Sequence, residues 1–465
     1  MRCFISYNGC VANSIQGFTE GNGVVLSQLR IVDNVACTVC GCVCDDLLVK
    51  LEIDPISGHE RIASLSPFCA LANDWIPRQH TARPPATEID GVPVPFDSAI
   101  ERAVEILQQS HAPLIYGLSR SSTPGQRAAA RLADWLGATI DTTASLCHAP
   151  SIMAVQVVGE STASLGEIRH RADLVIFWGS NPVKSHPRHL ERYSLHPPAM
   201  FLPNGRADRT LVVVDVEANQ TTEQADVFVK VEPGRDFEAL WTLRALVKGI
   251  KPTAGTVTGA NIEQLQDLAK RMLKCRCGVV FFGLGLTKPP VAHANVEGLL
   301  RLVTELNAVT RFHAKRMRIH GDVAGADSVL CWQTGYPFGV NLARGYPRYN
   351  PGEYTANDLL ERDEVDSCLL VGSESTSRFE RGIPTLTDRA MSRLRSVPTI
   401  SLDYPHSSGR SAFQPSVRFT TAVYGIHRPG TAYRMDEVPV PLRSFAESEY
   451  PSDDEILNRL RERIV

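Results

Sequence analysis

The sequence lacks an excess of charge of either sign: 48 Lys and Arg stand against 51 Asp and Glu, a net charge of −3 at pH 7. That balance offers no electrostatic footprint for nucleic acid or an anionic membrane, so neither is expected as a partner. It also lacks an apolar run long enough to span a bilayer. The best, LVIFWG and CGVVFFGLGL, have the length of buried strands. Its first twenty residues, MRCFISYNGCVANSIQGFTE, have neither a basic start nor a sustained apolar core. A secretory leader is therefore not expected, and the chain is placed in the cytoplasm. The same stretch fits no regular element, so residues 1–30 are expected to be a disordered extension.

What is present points to a globular protein of two or three domains, with 465 residues, 43% hydrophobic and 21% charged. Its 12 cysteines are unevenly spread. CTVCGCVC packs four of them into residues 37–44. In a reducing compartment, clustered thiols are metal ligands or redox groups more often than disulfides. Cys37, Cys40 and Cys44 form C-x₂-C-x₃-C, and Cys69 follows 25 residues later. Three thiolates at this spacing wrap one face of a cubane cluster and a distant fourth closes it. Four thiolates equally suit tetrahedral zinc, and spacing alone does not separate the two. Cys42 is a spare thiol in either scheme, and Asp45-Asp46 reads as a cap or turn. Cys3, Cys10, Cys275, Cys277, Cys331 and Cys368 make no ligand set and read as buried or incidental thiols.

Downstream of the cysteines come a strand-like LLVKLEID, a turn at DPISGHE, and SLSPFCALANDWI. The Pro-rich TARPPATEIDGVPVPFD reads as a boundary. Beyond it strands and helices alternate. SAIERAVEILQQS has helical spacing behind an Asp97/Ser98 cap, and GQRAAARLADWLG is an amphipathic helix that Gly137 ends. Strands are expected at PLIYG, ATID, DLVIFWG, TLVVVDV, CGVVFFG, SCLLVG and PTISLD, which implies parallel sheets covered by helices on both faces. A weak repeat relates DLVIFWGSNP and TLVVVDVEANQ to SCLLVGSES and PTISLDYPHSS. It implies two similar lobes with a ligand crevice at the carboxyl ends of their strands. TTASLCHAPS sets Cys147 and His148 just after ATID, in a loop facing that crevice. A thiolate there binds a soft metal and a histidine moves protons; the alternative is a nucleophilic or merely buried cysteine.

Together CTVCGCVCDD, SLCHAPS, WGSNPVKSHPRH, VEPGRD, TGYPFGVNLARGYPRYNPGE and GTAYRMDEVPVPLR resemble the B-subunit family of formylmethanofuran dehydrogenase, within the molybdopterin oxidoreductases. The resemblance spans roughly residues 31 to 445. It implies an α/β fold: a small N-terminal cysteine-cluster domain followed by two doubly wound α/β lobes of molybdopterin-oxidoreductase type. The division expected is 31–85 for the cysteine domain, 95–149 with 275–445 for a discontinuous lobe, 150–274 for the second lobe, and 446–465 for a C-terminal helix or tail.

The resemblance also implies roles. Cys37, Cys40, Cys44 and Cys69 would hold a 4Fe-4S cluster. Cys147 would bind the tungsten or molybdenum of a molybdopterin guanine dinucleotide, with His148 as its proton partner. Arg318 would hold a formate or CO₂-derived oxygen, a role that a small misalignment moves to Arg316. Gly179, Asn181 and His186 would contact the pterin. Asp215, Pro233, Gly234 and Asp236 would contact the guanosine half. The implied activity is CO₂ and formate interconversion inside a complex, with an amidohydrolase-like subunit among the partners. Glu217 departs from the pattern, since an acid beside a pyrophosphate is unfavourable unless it turns away. Two other readings remain. One is a scaffold subunit without redox metal in a bacterial formyltransferase/hydrolase complex of tetrahydromethanopterin-linked formaldehyde oxidation. The other is a zinc-binding interaction module.

Overall fold

The alternation in LLVKLEI decides the first unit. Leu47, Val49 and Leu51 turn inward while Lys50 faces water, the period-two signature of a half-buried strand. Strands β1 (Gln28–Val35), β2 (Leu47–Ile53) and β3 (Glu60–Ser66) form an antiparallel sheet, and α1 (Ala70–Thr81) covers it through Trp75 and Ile76. This computed structural model describes residues 28–53, 60–253, 255–287, 291–372, 385–407 and 413–464. Residues 1–27 of the expected extension, and the turn at 54–59, lie outside the described residues. Residues 28–30 do not belong to an extension: they open β1, paired with Leu51 to Ile53.

Next come β4 (Thr87–Ile89), β5 (Val92–Pro93), α2 (Phe96–Gln109), β6 (Pro113–Gly117), α3 (Thr123–Leu136), β7 (Thr139–Thr142), α4 (Ala144–Cys147) and α5 (Ala149–Val158). Gly137 ends α3 in the left-handed conformation at φ 64°, as expected. The start of α2 differs from expectation. Pro95 stands at its cap position, and Asp97 and Ser98 lie inside the first turn. Phe96, packed edge-on against Phe419, opens the helix two residues earlier.

The chain then builds its second lobe: α6 (Leu165–Arg171), β8 (Leu174–Trp178), α7 (Pro182–Ser185), β9 (Thr210–Asp215), β10 (Val227–Lys230), α8 (Asp236–Val247), α9 (Ile262–Lys274), β11 (Cys277–Phe282), α10 (Ala292–Leu306) and β12 (Arg311–Arg316). The sheet runs β10-β9-β8-β11-β12 and is parallel throughout. β8 and β11 are buried on both faces, which is why they read as unbroken apolar runs. The order leaves β8 in opposite directions, toward β9 and toward β11, so the crevice at their carboxyl ends is a topological switch point.

The boundary expected at 274 is therefore wrong. β11 and β12 pair with β8, so the second lobe runs on through Arg316, and only the chain beyond it returns to the first lobe. There lie α11 (Val323–Thr334), β13 (Val340–Asn341), β14 (Arg348–Tyr349), α12 (Ala356–Glu361), β15 (Ser367–Val371), α13 (Asp388–Ser396), β16 (Thr399–Asp403), β17 (Val417–Thr420), the hairpin β18 (Gly430–Tyr433) and β19 (Pro439–Leu442), and α14 (Asp453–Arg463). The first-lobe sheet runs β14-β13-β7-β6-β15-β16-β17-β4-β5, parallel from β7 to β17. The repeat read in the sequence is thus β8 beside β9 in one lobe and β15 beside β16 in the other. α14 is no loose tail: Ile456, Leu457 and Leu460 enter the first-lobe core, behind a Ser452–Glu455 capping box.

Candidate metal and cofactor site

The cysteine loop joins β1 to β2 and is held from inside and out. Cys37 N–H donates to Cys44 O at 2.8 Å, and Val43 N–H to Cys40 O at 3.1 Å. Gly41 N–H donates to Ile319 O at 3.2 Å, and a Cβ at Gly41 would collide with the Arg318 carbonyl. Only glycine lets the loop press this closely on the chain leaving β12. Cys69 stands at the cap position of α1, where its N–H donates to Asn73 Oδ1 at 3.0 Å.

The structure brings Cys37, Cys40, Cys44 and Cys69 together around one small apolar cavity, which Cys42 also lines. All five are buried. Burial and the neighbouring sulfurs push the Cys37 thiol well up. Four sulfurs on one zinc must converge to within about 4 Å of one another. Among the described residues, no three Cys, His, Asp or Glu side chains converge on a single-ion position.

Asp45 and Asp46 are not a cap. Asp46 accepts from both Arg188 terminal nitrogens at 2.8 Å, and Arg192 pairs with both carboxylates. Arg188 also lines the cysteine cavity, so these three ion pairs seat the cysteine domain on the second lobe.

Cys147 ends α4, immediately after β7. Its place is set by Asp141 in β7. That buried carboxylate accepts from Thr142 N–H, Ser145 Oγ, Gly339 N–H and Ala356 N–H at 2.7–2.9 Å. It therefore ties the SLCH turn to the TGYPF loop and to α12. Cys147 is 8% exposed, and Thr287 of the second lobe donates to its carbonyl at 3.2 Å. Burial pushes its thiol up to about 12, opposed by the Arg318 guanidinium.

Arg318, on the chain leaving β12, is 3% exposed and donates from Nη1 to Asp327 at 2.6 Å. Burial works against its charge, but the Asp327 carboxylate outweighs it and holds the pKa above the ordinary arginine value. The same residue's carbonyl accepts from His186 Nε2 at 2.6 Å. His148 lies in the same buried group, its Nδ1 without a partner. Burial first, then Arg318, Arg316 and His186, lowers its pKa well below that of an ordinary histidine. Cys147, His148, Arg318 and His186 are thus brought together. Arg316 instead pairs with Glu160 at 3.2 Å and Glu437 at 2.9 Å.

The second-lobe crevice lies where the topology puts it. A cavity of roughly 190 Å³ is lined by Gly179, Asp215, Pro233, Gly234 and Asp236, and by Gly285 and Asn295. A second, of roughly 140 Å³, shares Gly179 and adds Asn181 and Lys184. Gly179 has φ 56°, and a Cβ there would lie 2.8 Å from Leu286 N and 2.9 Å from Gly285 Cα. The turns after β8 and β11 meet without side chains between them. Ser180 Oγ and Asn295 Oδ1 are buried here without hydrogen-bond partners. Asp236 accepts from Trp178 Nε1 at 2.8 Å, and Asp215 from Val216 N–H at 2.8 Å. His186 lines neither cavity. Its nitrogens meet Ser185 Oγ and the Arg318 carbonyl, which makes it a strut rather than a crevice contact. Glu217 is exposed and lines neither cavity, so the acid turns away.

Sequence reasoning missed Gly285, Asn295, Asp141 and Asp327. Gly285 had a signal: GLGL follows a buried strand as WGSN does. The two aspartates had none, because the partners that tie them to the rest of the site, Gly339 and Ala356 for Asp141 and Thr142 for Asp327, are far away in sequence.

A cysteine domain seated against two doubly wound lobes, with a buried thiol at one strand end and a glycine-walled crevice at another, is the fold class expected of molybdopterin oxidoreductases. Two solved structures share the fold. One is the formyltransferase/hydrolase complex FhcABCD from Methylorubrum extorquens (TM-score 0.66, 23% identity), matched over 82% of this chain and 98% of that one. The other is acetylene hydratase from Pelobacter acetylenicus (TM-score 0.64, 12% identity), matched over 93% and 69%. No family model matches the chain.

Sequence relatives are more specific. The chain is 37% identical to the B subunit of the tungsten-containing formylmethanofuran dehydrogenase 2 of Methanocaldococcus jannaschii, over 90% of this chain and 94% of that one. It is 34% identical to the Methanococcus maripaludis protein of the same name, over 94% and 99%. It is 26% identical to the B subunit of the formyltransferase/hydrolase complex Fhc of Methylorubrum extorquens, over 62% and 75%. The chain belongs to the B-subunit family of formylmethanofuran dehydrogenase.

Proposed function

We propose that this chain is the redox subunit of a formylmethanofuran dehydrogenase-like complex, interconverting CO₂ and formate: CO₂ takes up two electrons and one proton to give formate. The observation that carries the reading is the buried convergence of Cys147, His148 and Arg318 where the two lobes meet. When bound, a tungsten or molybdenum pterin supplies the two-electron exchange. Cys147 offers it a soft ligand. Arg318, kept charged by Asp327, holds a carboxylate oxygen in a site closed to water. His148 has an open Nδ1 on which to hold the proton.

The crevice fits the rest of that cofactor. Bare glycine backbone at Gly179 and Gly285 admits a close ligand, and Ser180 Oγ and Asn295 Oδ1 await one. The carboxylates of Asp215 and Asp236 suit the N–H donors of a guanine edge. The cysteine nest, four buried thiols around one apolar cavity, supplies a donor set suited to a 4Fe-4S cluster held by Cys37, Cys40, Cys44 and Cys69. We infer that the chain acts with other subunits, among them an amidohydrolase-like one that joins formate to the methanofuran amine.

A scaffold reading draws on the likeness to the Fhc complex. The five buried thiols at two sites speak against it, since a scaffold has no use for them. The test is elemental analysis of the complex purified anaerobically with its native partners, followed by formate-driven dye reduction. Tungsten or molybdenum near one per chain, with dye reduction, supports the redox reading. A complex that handles formyl groups but contains neither metal leaves the scaffold reading standing.

A further inference from the structure

The cysteine loop is also tethered to the first lobe, from the end of β6. That strand runs into a tight turn: Leu118 has φ 73°, and its N–H donates to Val371 O of β15 at 3.0 Å. Leucine rarely adopts this left-handed conformation, so the surrounding structure holds the turn in place. Two residues on, Arg120 leaves the turn toward the cysteine domain. A Cβ at Gly372 would lie 3.3 Å from the Arg120 Cβ, so the bare backbone there leaves room for the side chain. Arg120 is 8% exposed. Its Nη1 donates to Thr38 O and to Val39 O, both at 3.1 Å. Its guanidinium lies 5.4 Å from the centroid of the Trp75 ring in α1. Thr38 and Val39 are the two residues between Cys37 and Cys40. One arginine of the first lobe thus grips the loop between two thiols and the helix that follows Cys69.

A guanidinium stays charged throughout the pH range of a folded protein, so this cation is permanent. It is nearly sealed from water, where screening is weak. One-electron reduction of a cluster adds one negative charge. A fixed cation nearby stabilises the reduced form more than the oxidised form, and so raises the potential.

We propose that Arg120 is a positioning residue for the cluster: its guanidinium fixes the Thr38–Val39 backbone between Cys37 and Cys40, and its charge raises the cluster's reduction potential. The inference rests on the assignment of Cys37, Cys40, Cys44 and Cys69 as the cluster ligands.

The test uses the full chain, reconstituted anaerobically with iron and sulfide, as wild type, Arg120→Lys and Arg120→Gln. Iron content and midpoint potential are read for each. Glutamine keeps a donor without the charge, and lysine keeps the charge without the planar fork. Wild type and both variants should bind about four iron. Arg120→Gln should shift the potential negative by about a tenfold change in the reduction equilibrium, 59 mV for one electron. Arg120→Lys should stay near the wild-type potential, a rescue that a merely structural role would not give. Loss of iron from Arg120→Gln alone also supports the proposal, because the charge is then what keeps the loop fit to hold the cluster. Four iron with an unchanged potential in Arg120→Gln overturns it. So do equal shifts in the two variants, or loss of iron from both. A wild-type chain that takes up no iron contradicts the ligand assignment itself, and the proposal falls with it.

Discussion

Arg318 Nη1 donates to Asp327 Oδ2 at 2.6 Å, with both side chains nearly sealed from water. The other Asp327 oxygen accepts from Thr142 Oγ1 at 2.9 Å, so one carboxylate fixes the arginine against the strand that delivers Cys147. Removing one partner of a buried pair leaves an uncompensated charge. Asp327→Ala should therefore destabilise the chain by about 3–5 kcal/mol. Asp327→Asn keeps an acceptor and should be milder. Denaturant titration of both variants reads this difference, and equal losses would contradict it.

The seat of the cysteine domain should respond to acid. Burial alone would raise the Asp46 pKa, but Arg188 and Arg192 outweigh it and hold it below the ordinary carboxylate value. A lowered folded-state pKa means stability present above the unfolded value, about 3.9, and lost as pH falls through the folded one. The carboxylate is 40% exposed, so the contribution is modest. Asp46→Asn should flatten the stability profile below pH 4 and leave its shape at pH 6–8 alone. An unchanged acid limb would contradict the assignment.

Asp141 accepts four hydrogen bonds within one buried site. An asparagine oxygen cannot serve all four donors. Asp141→Asn should therefore cost about 1–3 kcal/mol and loosen the TGYPF loop, seen as faster amide exchange near Gly339. Native exchange rates there would rule out the proposed anchoring.

The crevice depends on the missing side chain of Gly179. Gly179→Ala puts a Cβ against Leu286 N and Gly285 Cα in a positive-φ turn. Guanine nucleotide released from the denatured complex should drop at least about tenfold, as a 1.4 kcal/mol or larger penalty implies. Iron content should not change. Wild-type nucleotide levels would place the cofactor elsewhere.

Much of this was legible because it is local in sequence. Cys37, Cys40 and Cys44 share one short loop, and the strands announce themselves as apolar runs. The lobe boundary was not legible: β11 is an apolar, fully buried strand like β6 and β15, so nothing in CGVVFF says which sheet it joins. Arg188 with Asp46, and Arg318 with His186, meet across 142 and 132 residues. No local pattern marks such pairs. His186 shows the same limit from the other side. Its motif was visible, but its role as a strut under Arg318 depends on a carbonyl contributed by a distant segment.

If Cys147 is the metal-binding thiol of a two-centre redox subunit, as proposed, its replacement removes the pterin metal and spares the iron. The direct measurement is metal content of the anaerobically purified complex carrying Cys147→Ser, beside wild type. The account predicts that tungsten or molybdenum falls to background and formate oxidation stops, while iron and the folded state are unchanged. Retention of the metal and activity in Cys147→Ser would contradict it.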